Sequence, residues 1–564
     1  MTNINLTPSA KHLPLPGGST TLFSPQWWQG DLNTVTFDRA AIKAKLLNLE
    51  APCYLVKSEQ SLGVTHAESD GGGGDRPLPR FPCLAAVLPI SPCQLGDPGF
   101  CSHHSVQLAY AAGAMAGGIA SEEMVITLGR HQLLGSFGTG GLAIERIEAA
   151  IHRIQQALPL GPYAFNLLHN PHDQAAERQV VDLFLQRQVR TVEASAFLDL
   201  TPNLVYYRVA GLNQRGSHPV EVRNKVIAKL SRREVATKFL QPAPVKILRE
   251  LINQGLITEQ QARLAEQVPM ADDITVEADS GGHTDNRPLV CLLPDIQELR
   301  DEQQAVYRYP SPVRIGVAGG IGTPQSVLAA FMMGAAYVVT GSINQSCIEA
   351  GTSDHTRQLL AAAEMHDMMM APAADMFEMG VKLQVLKRGT LFPLRAQKLF
   401  ELYKTYDSIE AIPAQERQKI ETQIFKRSLD AVWQETQTYL AQRKPEKLAR
   451  ALQTPKLKMA SIFRWYLGLS SRWAIQGKPD RKMDYQIWCG PAMGAFNNWV
   501  RGSYLEEPQN RRVAEVAIHL MTGSAFLYRL QVLKMQGIQL PTSYYSYHPL
   551  PLVSEPETVL TTRS

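Results

Sequence analysis

The sequence predicts an α/β protein: a TIM (β/α)8 barrel with an additional helical domain and a small N-terminal segment. Three observations predict it. Between about residues 81 and 400, short apolar runs alternate with longer amphipathic segments, the pattern of βα units joined into a parallel sheet. Eight such runs occur in order, the strand count of a barrel and more than most doubly wound sheets hold. From about 401 onward, charged amphipathic helices replace them.

Residues 1–80 hold a short mixed segment, DLNTVTFDRAAIKAKLLNLEAPCYLVK, and then SDGGGGDRPLPRFP, whose glycines and prolines continue no regular element and read as a linker. No strand precedes Gly71 to Gly74 and no helix follows, so a flexible loop is expected there rather than a phosphate cradle. The eight barrel runs, within 81–400, are VQLAYAAG, LLGSF, YAFNLL, TVEASAF, KVIAKL, ITVEA, RIGVAGG and AAYVVTG. Residues 401–540 form the helical region, with AQERQKIETQIFKRSLDAVWQETQTYLAQ as its clearest stretch, and 541–564 read as a loosely held tail.

Composition bounds the function classes. The chain has 564 residues, 45% apolar and 19% charged, enough for two or three cored domains and unlike a disordered chain. No apolar run nears the ~20 residues that span a bilayer, and the N-terminus lacks the apolar run of a secretory signal, so a cytoplasmic protein off the membrane is expected. Seven scattered cysteines, at 53, 83, 93, 101, 291, 347 and 489, form no close pair and are expected as reduced thiols. The cluster Cys101, Ser102, His103, His104 offers too few ligands for a metal and is expected to be loop.

The net charge of +4 is local: residues 443–482 hold eleven Lys/Arg against two acids. That segment, with Arg464, Trp465, Tyr466, Arg472 and Trp473, either steers an acidic partner or is a solvated helical face. Nucleic acid ranks low as a partner, since no nucleic-acid module accompanies the basic residues.

The most informative stretch is RIGVAGGIGTPQSVLAAFMMGAAYVVTGSINQ, read as strand, Gly-Gly turn, helix, strand and Gly-Ser turn. Gly319 and Gly320 lack a Cβ, so their amides can approach a ligand, and Thr323 with Pro324 is a good N-cap and first-turn pair. Gly341 and Ser342 complete the arrangement after the eighth run. The turns after strands seven and eight commonly hold phosphate in such barrels. Either pair alone would equally serve a tight turn; two bracketing one helix favour phosphate.

The segment AMAGGIASEEMVITLGRHQLLGSFGTGG, followed in order by FNLLHNP, NKVIAKLS, EADSGGHTDN, VAGGIGTPQS and VVTGS, resembles the nitronate monooxygenase and flavin enoyl reductase superfamily. Within it, APAADMFEMGVKLQVLKRGTLFPLRAQKLFELYKTYDSIEAIP and WCGPAMGAFNNW resemble PfaD-type trans-acting enoyl reductases of polyunsaturated fatty acid and polyketide synthases. The resemblance covers about residues 25–540. It implies a barrel carrying FMN, a helical substrate-binding domain, NADPH as reductant and acyl carrier protein thioesters as substrates, with oligomers possible.

Carried over by motif, the backbone of Ala114, Met115 and Ala116 would lie along the flavin ring. Asn166 would hydrogen-bond it, or else turns the chain at a strand end. Lys229 would face the ring's N1 and O2 edge, where its charge favours the anionic reduced form, or else is an exposed strand-end lysine. His283 matches the family's catalytic acid or base, flanked by Gly281 and Gly282 that let it stand over the ring. Here the motif departs from the common pattern in having Asp279 and Ser280 where Glu and Ala often occur.

The methionines at 365, 368, 369, 370, 376 and 379 could line an acyl channel, but apolar spacing on a helix makes helical core the preferred reading. Two rival functions stand beside the reductase: a nitronate monooxygenase with the same barrel and histidine, and a non-catalytic synthase scaffold protein.

Overall fold

In the computed structural model, which describes residues 27–59, 61–69, 78–170, 173–216 and 218–552, the chain opens with a four-stranded antiparallel sheet. Its strands β1 (Trp27–Gln29), β2 (Cys53–Ser58), β3 (Ser61–Thr65) and β4 (Arg80–Val87) lie in the order β1-β4-β2-β3. The helix Arg39–Leu47 starts where the Asp38 carboxylate accepts from Ala41 N. Trp28, Val35 and Val56 form the sheet's buried cluster. The buried Arg529 guanidinium donates to the carbonyls of Leu46, Asn48, Leu49 and Ala51 at 2.7–3.1 Å, satisfying the helix end and the turn into β2. Residues up to Ile90 and Arg529–Tyr545 form one compact unit. Residues 80–87 pair in this sheet, so the barrel's first strand starts at Tyr110, later than the boundary near 81 read from sequence. The glycines 71–74 lie outside the described residues.

Ser91–Tyr528, with the described residues from Ser546, form the second unit. Eight parallel strands close its barrel. The first four are β5 (Tyr110–Ala112), β6 (Leu134–Phe137), β7 (Ala164–Leu168) and β8 (Thr191–Ser195). A two-residue ribbon outside the barrel follows, β9 (Leu212–Asn213) with β10 (Glu221–Val222). The remaining barrel strands are β11 (Lys225–Leu230), β12 (Asp273–Glu277), β13 (Arg314–Ala318) and β14 (Val338–Thr340). Every run read from sequence supplies one strand, in the same order. Parallel barrel strands are covered on both faces, which is why β6 and β8 are buried at every residue.

The N-terminal rim of the barrel is closed by ion pairs. Asp273, which opens β12 and is fully buried, accepts from Arg314 Nε at 2.6 Å, from Arg314 Nη2 at 2.9 Å and from His104 Nε2 at 2.8 Å. His103 and His104 belong to a helix, Pro98–His104, and not to the loop expected there: Asp97 caps its N-terminus and Pro98 fits its first turn. His103, His104 and Asp273 bring ligand atoms within 4.8 Å of one another, but both Asp273 oxygens are already engaged by cationic or imidazole donors, and the cluster reads as an ion-pair network.

After β14 comes the hairpin β15 (Met368–Pro372) and β16 (Lys382–Leu386). Met368, Met369 and Met370 are therefore on a strand, with Met365 and Met379 more than half exposed beside it; the helical-core expectation fails because the methionine run alternates faces of a hairpin. From Phe392 onward the chain is helical, including Leu429–Arg443, Pro445–Gln453 and Pro455–Gln476. The helix Val513–Met535 is, against expectation, long and apolar enough to cross a membrane by length and composition, but 72% of its apolar window is buried inside the protein, as in a core helix. Tyr544 and Tyr547, in the segment read as a loose tail, are buried.

Burial raises the Asp273 carboxyl, but His104 and Arg314 outweigh it and hold it well below the ordinary carboxylate range. Its contribution to stability is thus present above that range and is lost only as pH falls through the depressed value. Asp273→Asn strands a buried guanidinium, and urea unfolding should show a loss of about 3–5 kcal/mol at neutral pH.

Candidate active site

All eight strands point their C-terminal ends at one rim, where the site residues gather. β13 and β14 end in turns whose backbone N–H groups at Gly319, Gly320, Ile321, Gly341 and Ser342 have no protein acceptor among the described residues. Gly319 adopts φ +85°, and a Cβ there would sit 2.6 Å from the Ala278 carbonyl carbon, so only glycine fits. A Cβ at Gly320 or Gly341 would meet no protein atom within 4 Å. Thr323 and Pro324 open the helix Pro324–Met332 as expected: Thr323 Oγ1 accepts from Ser326 N, and Ser326 Oγ accepts from Gly322 N and Thr323 N. These latter donors are committed internally, so an anion here would be met by the glycine-turn amides and the helix dipole. The predicted Gly319, Gly320, Gly341 and Ser342 thus follow the neighbouring strands β13 and β14 at the same rim.

The WCGPAM segment reaches the same rim. Gly490 N donates to Ser342 Oγ at 2.9 Å, and Gly322 and Gly281 have no room for a Cβ against Ala492 O (2.6 Å) and the Cys489 backbone (2.8 Å).

His283 follows β12 on a loop that β16 holds in place. Gln384 exchanges both backbone hydrogen bonds with Gly282, at 2.9 and 2.7 Å, and its Nε2 donates to Asp279 Oδ1 and Ser280 O. Asp285, two residues past the histidine, accepts from Ser231 Oγ at 2.6 Å and from Arg232. The His283 side chain stays half exposed, with Nε2 3.1 Å from Asp375 Oδ1. Asp375 is the orienting partner that the altered motif did not reveal; Asp279 and Ser280 serve the loop instead. Burial lowers the imidazole pKa, but the hydrogen bond and charge of Asp375, with Glu277 adding to them, raise it above the ordinary histidine value.

Lys229, near the end of β11, is an ion-paired residue and not an exposed one: its Nζ lies 3.1 Å from Glu277 Oε1 and 4.0 Å from Glu193 Oε1. Burial lowers its pKa, and the two carboxylates more than reverse that. Glu193 Oε2 accepts from Ala114 N at 3.0 Å, which commits that amide, while Met115 N and Ala116 N have no protein acceptor among the described residues. Asn166 is buried and its Nδ2 donates to Glu193 O and Ser195 Oγ, both at 3.0 Å, leaving its Oδ1 for a ligand.

Asp375, Gln384, Glu193 and Glu277 went unread in the sequence. Glu193 did carry a signal, a carboxylate in the middle of an apolar strand run; Asp375 and Gln384 carried none, since their roles arise from the hairpin folding back over the rim.

Residues 106–398, more than half of the chain, match the nitronate monooxygenase family model, and the chain belongs to that family, a class of flavin-dependent barrel oxidoreductases. Residues 28–76 match the N-terminal domain of fatty acid synthase subunit PfaD, and 406–485 match the inserted helical domain of acyl-carrier-protein S-malonyltransferase. A polyunsaturated fatty acid synthase subunit of Thraustochytrium sp. is 48% identical over 503 residues, covering 87% of this chain and 33% of that protein. Polyketide biosynthesis protein PksE of Bacillus subtilis is 48% identical over 434 residues, covering 77% of this chain and 56% of that one. The chain thus spans about a third to just over half of these two relatives. The crystal structure of the enoyl reductase domain of MlnA, from the macrolactin cluster of Bacillus amyloliquefaciens, superposes with a TM-score of 0.75 at 40% identity, covering 78% of this chain and all of that one.

Removing the Asp375 charge should undo the upward shift of the imidazole. In an NMR titration of the labelled histidines, Asp375→Asn is expected to move the His283 midpoint to lower pH, so that it deprotonates earlier as pH rises; an unmoved midpoint would show that the pair does not govern it.

Proposed function

We propose that the chain is a trans-acting enoyl reductase that carries FMN, takes reducing equivalents from NADPH and saturates α,β-unsaturated acyl chains held as thioesters on acyl carrier protein domains of a polyketide or polyunsaturated fatty acid synthase. The observation that carries it is the half-exposed His283–Asp375 pair on the same rim as the unpartnered glycine-turn amides. The likeness to an enoyl reductase domain and to synthase subunits supports the same reading.

The residues fit FMN. Gly319, Gly320, Ile321, Gly341 and Ser342 offer main-chain donors to its phosphate, the space beside Gly320 and Gly341 is open, and Met115, Ala116 and Asn166 offer free polar atoms for its ring. When bound, FMN supplies the hydride that the β-carbon of the enoyl thioester accepts. The matching proton goes to the α-carbon, and His283 is arranged to give it. Its Nε2–H is held by Asp375, so Nδ1 is the nitrogen left to donate, and the hydrogen bond and charge of Asp375 favour the protonated ring.

For the carrier protein, the helical region keeps less charge than its composition implies. Arg464 and Lys447 face Glu378, Lys458 faces Glu410, and Tyr466 and Trp473 are buried. Arg443, Lys444, Arg450 and Arg472 are exposed with no ion-pair partner among the described residues, and these are the cations for an acidic partner.

Anaerobic mixing with NADPH should bleach the flavin, and a crotonyl thioester should restore its colour. His283→Ala is expected to slow the second step by roughly 10²–10⁴-fold. Gly341→Ala, whose Cβ meets no protein atom, should leave thermal stability unchanged and weaken FMN retention at least about tenfold, by crowding the ligand alone. Protein that takes up no flavin, or flavin that no nicotinamide reduces, overturns the proposal.

A further inference from the structure

Glu193 is an unusual residue for its place. It lies within a strand buried at all five positions, and it is itself 5% exposed. A buried carboxylate is costly unless its oxygens are hydrogen-bonded, yet only Oε2 is, by Ala114 N at 3.0 Å; Oε1 has no hydrogen-bond partner. Lys229 Nζ stands 4.0 Å from that bare oxygen and is closer to Glu277, at 3.1 Å. Glu277 in turn accepts from Ser280 Oγ at 3.0 Å. A ladder of alternating charge thus runs from the middle of β8 to the C-terminal ends of β11 and β12, with two carboxylates to one ammonium.

We propose that Glu193 sets the sign of the electrostatic field at the flavin: with Glu277 it overbalances Lys229, so that this side of the barrel mouth presents net negative charge and lowers the cofactor's reduction potential. The inference rests on the FMN reading above. A lysine alone would favour electron gain by the ring; a second carboxylate behind it reverses the balance, and charges so buried are little screened by salt. A lower potential makes the reduced cofactor a stronger donor toward the acyl double bond. Glu193 also fixes the Ala114 amide, at the start of the segment that borders the ring, so one side chain supplies both position and charge.

The two roles separate by substitution. Glu193→Gln keeps an oxygen for the Ala114 N–H and removes the charge; Glu193→Ala removes both. With the full chain loaded with FMN, dye equilibration under nitrogen should give Glu193→Gln a more positive midpoint potential by at least about 30 mV, a tenfold change in the two-electron equilibrium. Its FMN affinity should stay within about threefold of wild type, and Glu193→Ala should lose affinity as well. Glu277→Gln should move the potential in the same direction and decides the matter if the Glu193 variants do not fold. A potential unchanged within about twofold in that equilibrium, or a more negative one, overturns the inference while leaving the FMN reading intact. Wild-type protein that binds no FMN overturns both.

Discussion

Closure of a parallel sheet is the constraint on which the rest of this structure depends. When eight parallel strands close, every backbone group inside the barrel finds a partner, and the first amides beyond the strand ends run out of partners together, at one rim. Here those amides follow Ala318 and Thr340, the last residues of β13 and β14. What comes next in the chain is shaped by them. Glycine at 319 is required by the Ala278 carbonyl, and Gly281, Gly322 and Gly490 lack a Cβ so that the WCGPAM segment can lie against the histidine loop and the turn after β13. The site is thus a consequence of topology, sharpened by a few residues without side chains.

The two ends of the barrel treat charge differently. At the N-terminal rim, Asp273 has both oxygens satisfied by Arg314 and His104, and the arrangement does no more than hold β12 beside β13. At the C-terminal rim, Glu193 keeps one bare oxygen and Lys229 is shared between two acids. The N-terminal rim also leaves His103 Nε2 and His104 Nδ1 buried without a hydrogen-bond partner, so what sets the C-terminal rim apart is a bare carboxylate oxygen beside a shared ammonium.

Barrel strands were legible in the sequence because both of their faces are buried, so each appears as an unbroken apolar run such as LLGSF or RIGVAGG. The glycine turn and the helix start after β13 were legible because their geometry is local: Gly319, Gly320, Thr323 and Pro324 lie within a few residues of one another. The N-terminal sheet was not, since β4, which starts within the stretch read as a linker, pairs with β1 about 55 residues and with β2 about 30 residues earlier in the chain. The methionine cluster misled for a related reason. A short apolar run has no period long enough to tell strand from helix, and only the partner strand β16 decides it.

The histidine shows where local reading ends. Its motif marks His283 as a candidate but says nothing of its hydrogen-bond partner, because Asp375 sits 92 residues later, in the connection of a hairpin. Gln384 pins the loop through four hydrogen bonds from β16, and the connection between β15 and β16 brings Asp375 to the imidazole. The hairpin is therefore what fixes the glycine-flanked histidine loop and gives the imidazole a carboxylate partner. A barrel of this family that kept the motif but lost the hairpin would retain the imidazole without the carboxylate that raises its pKa.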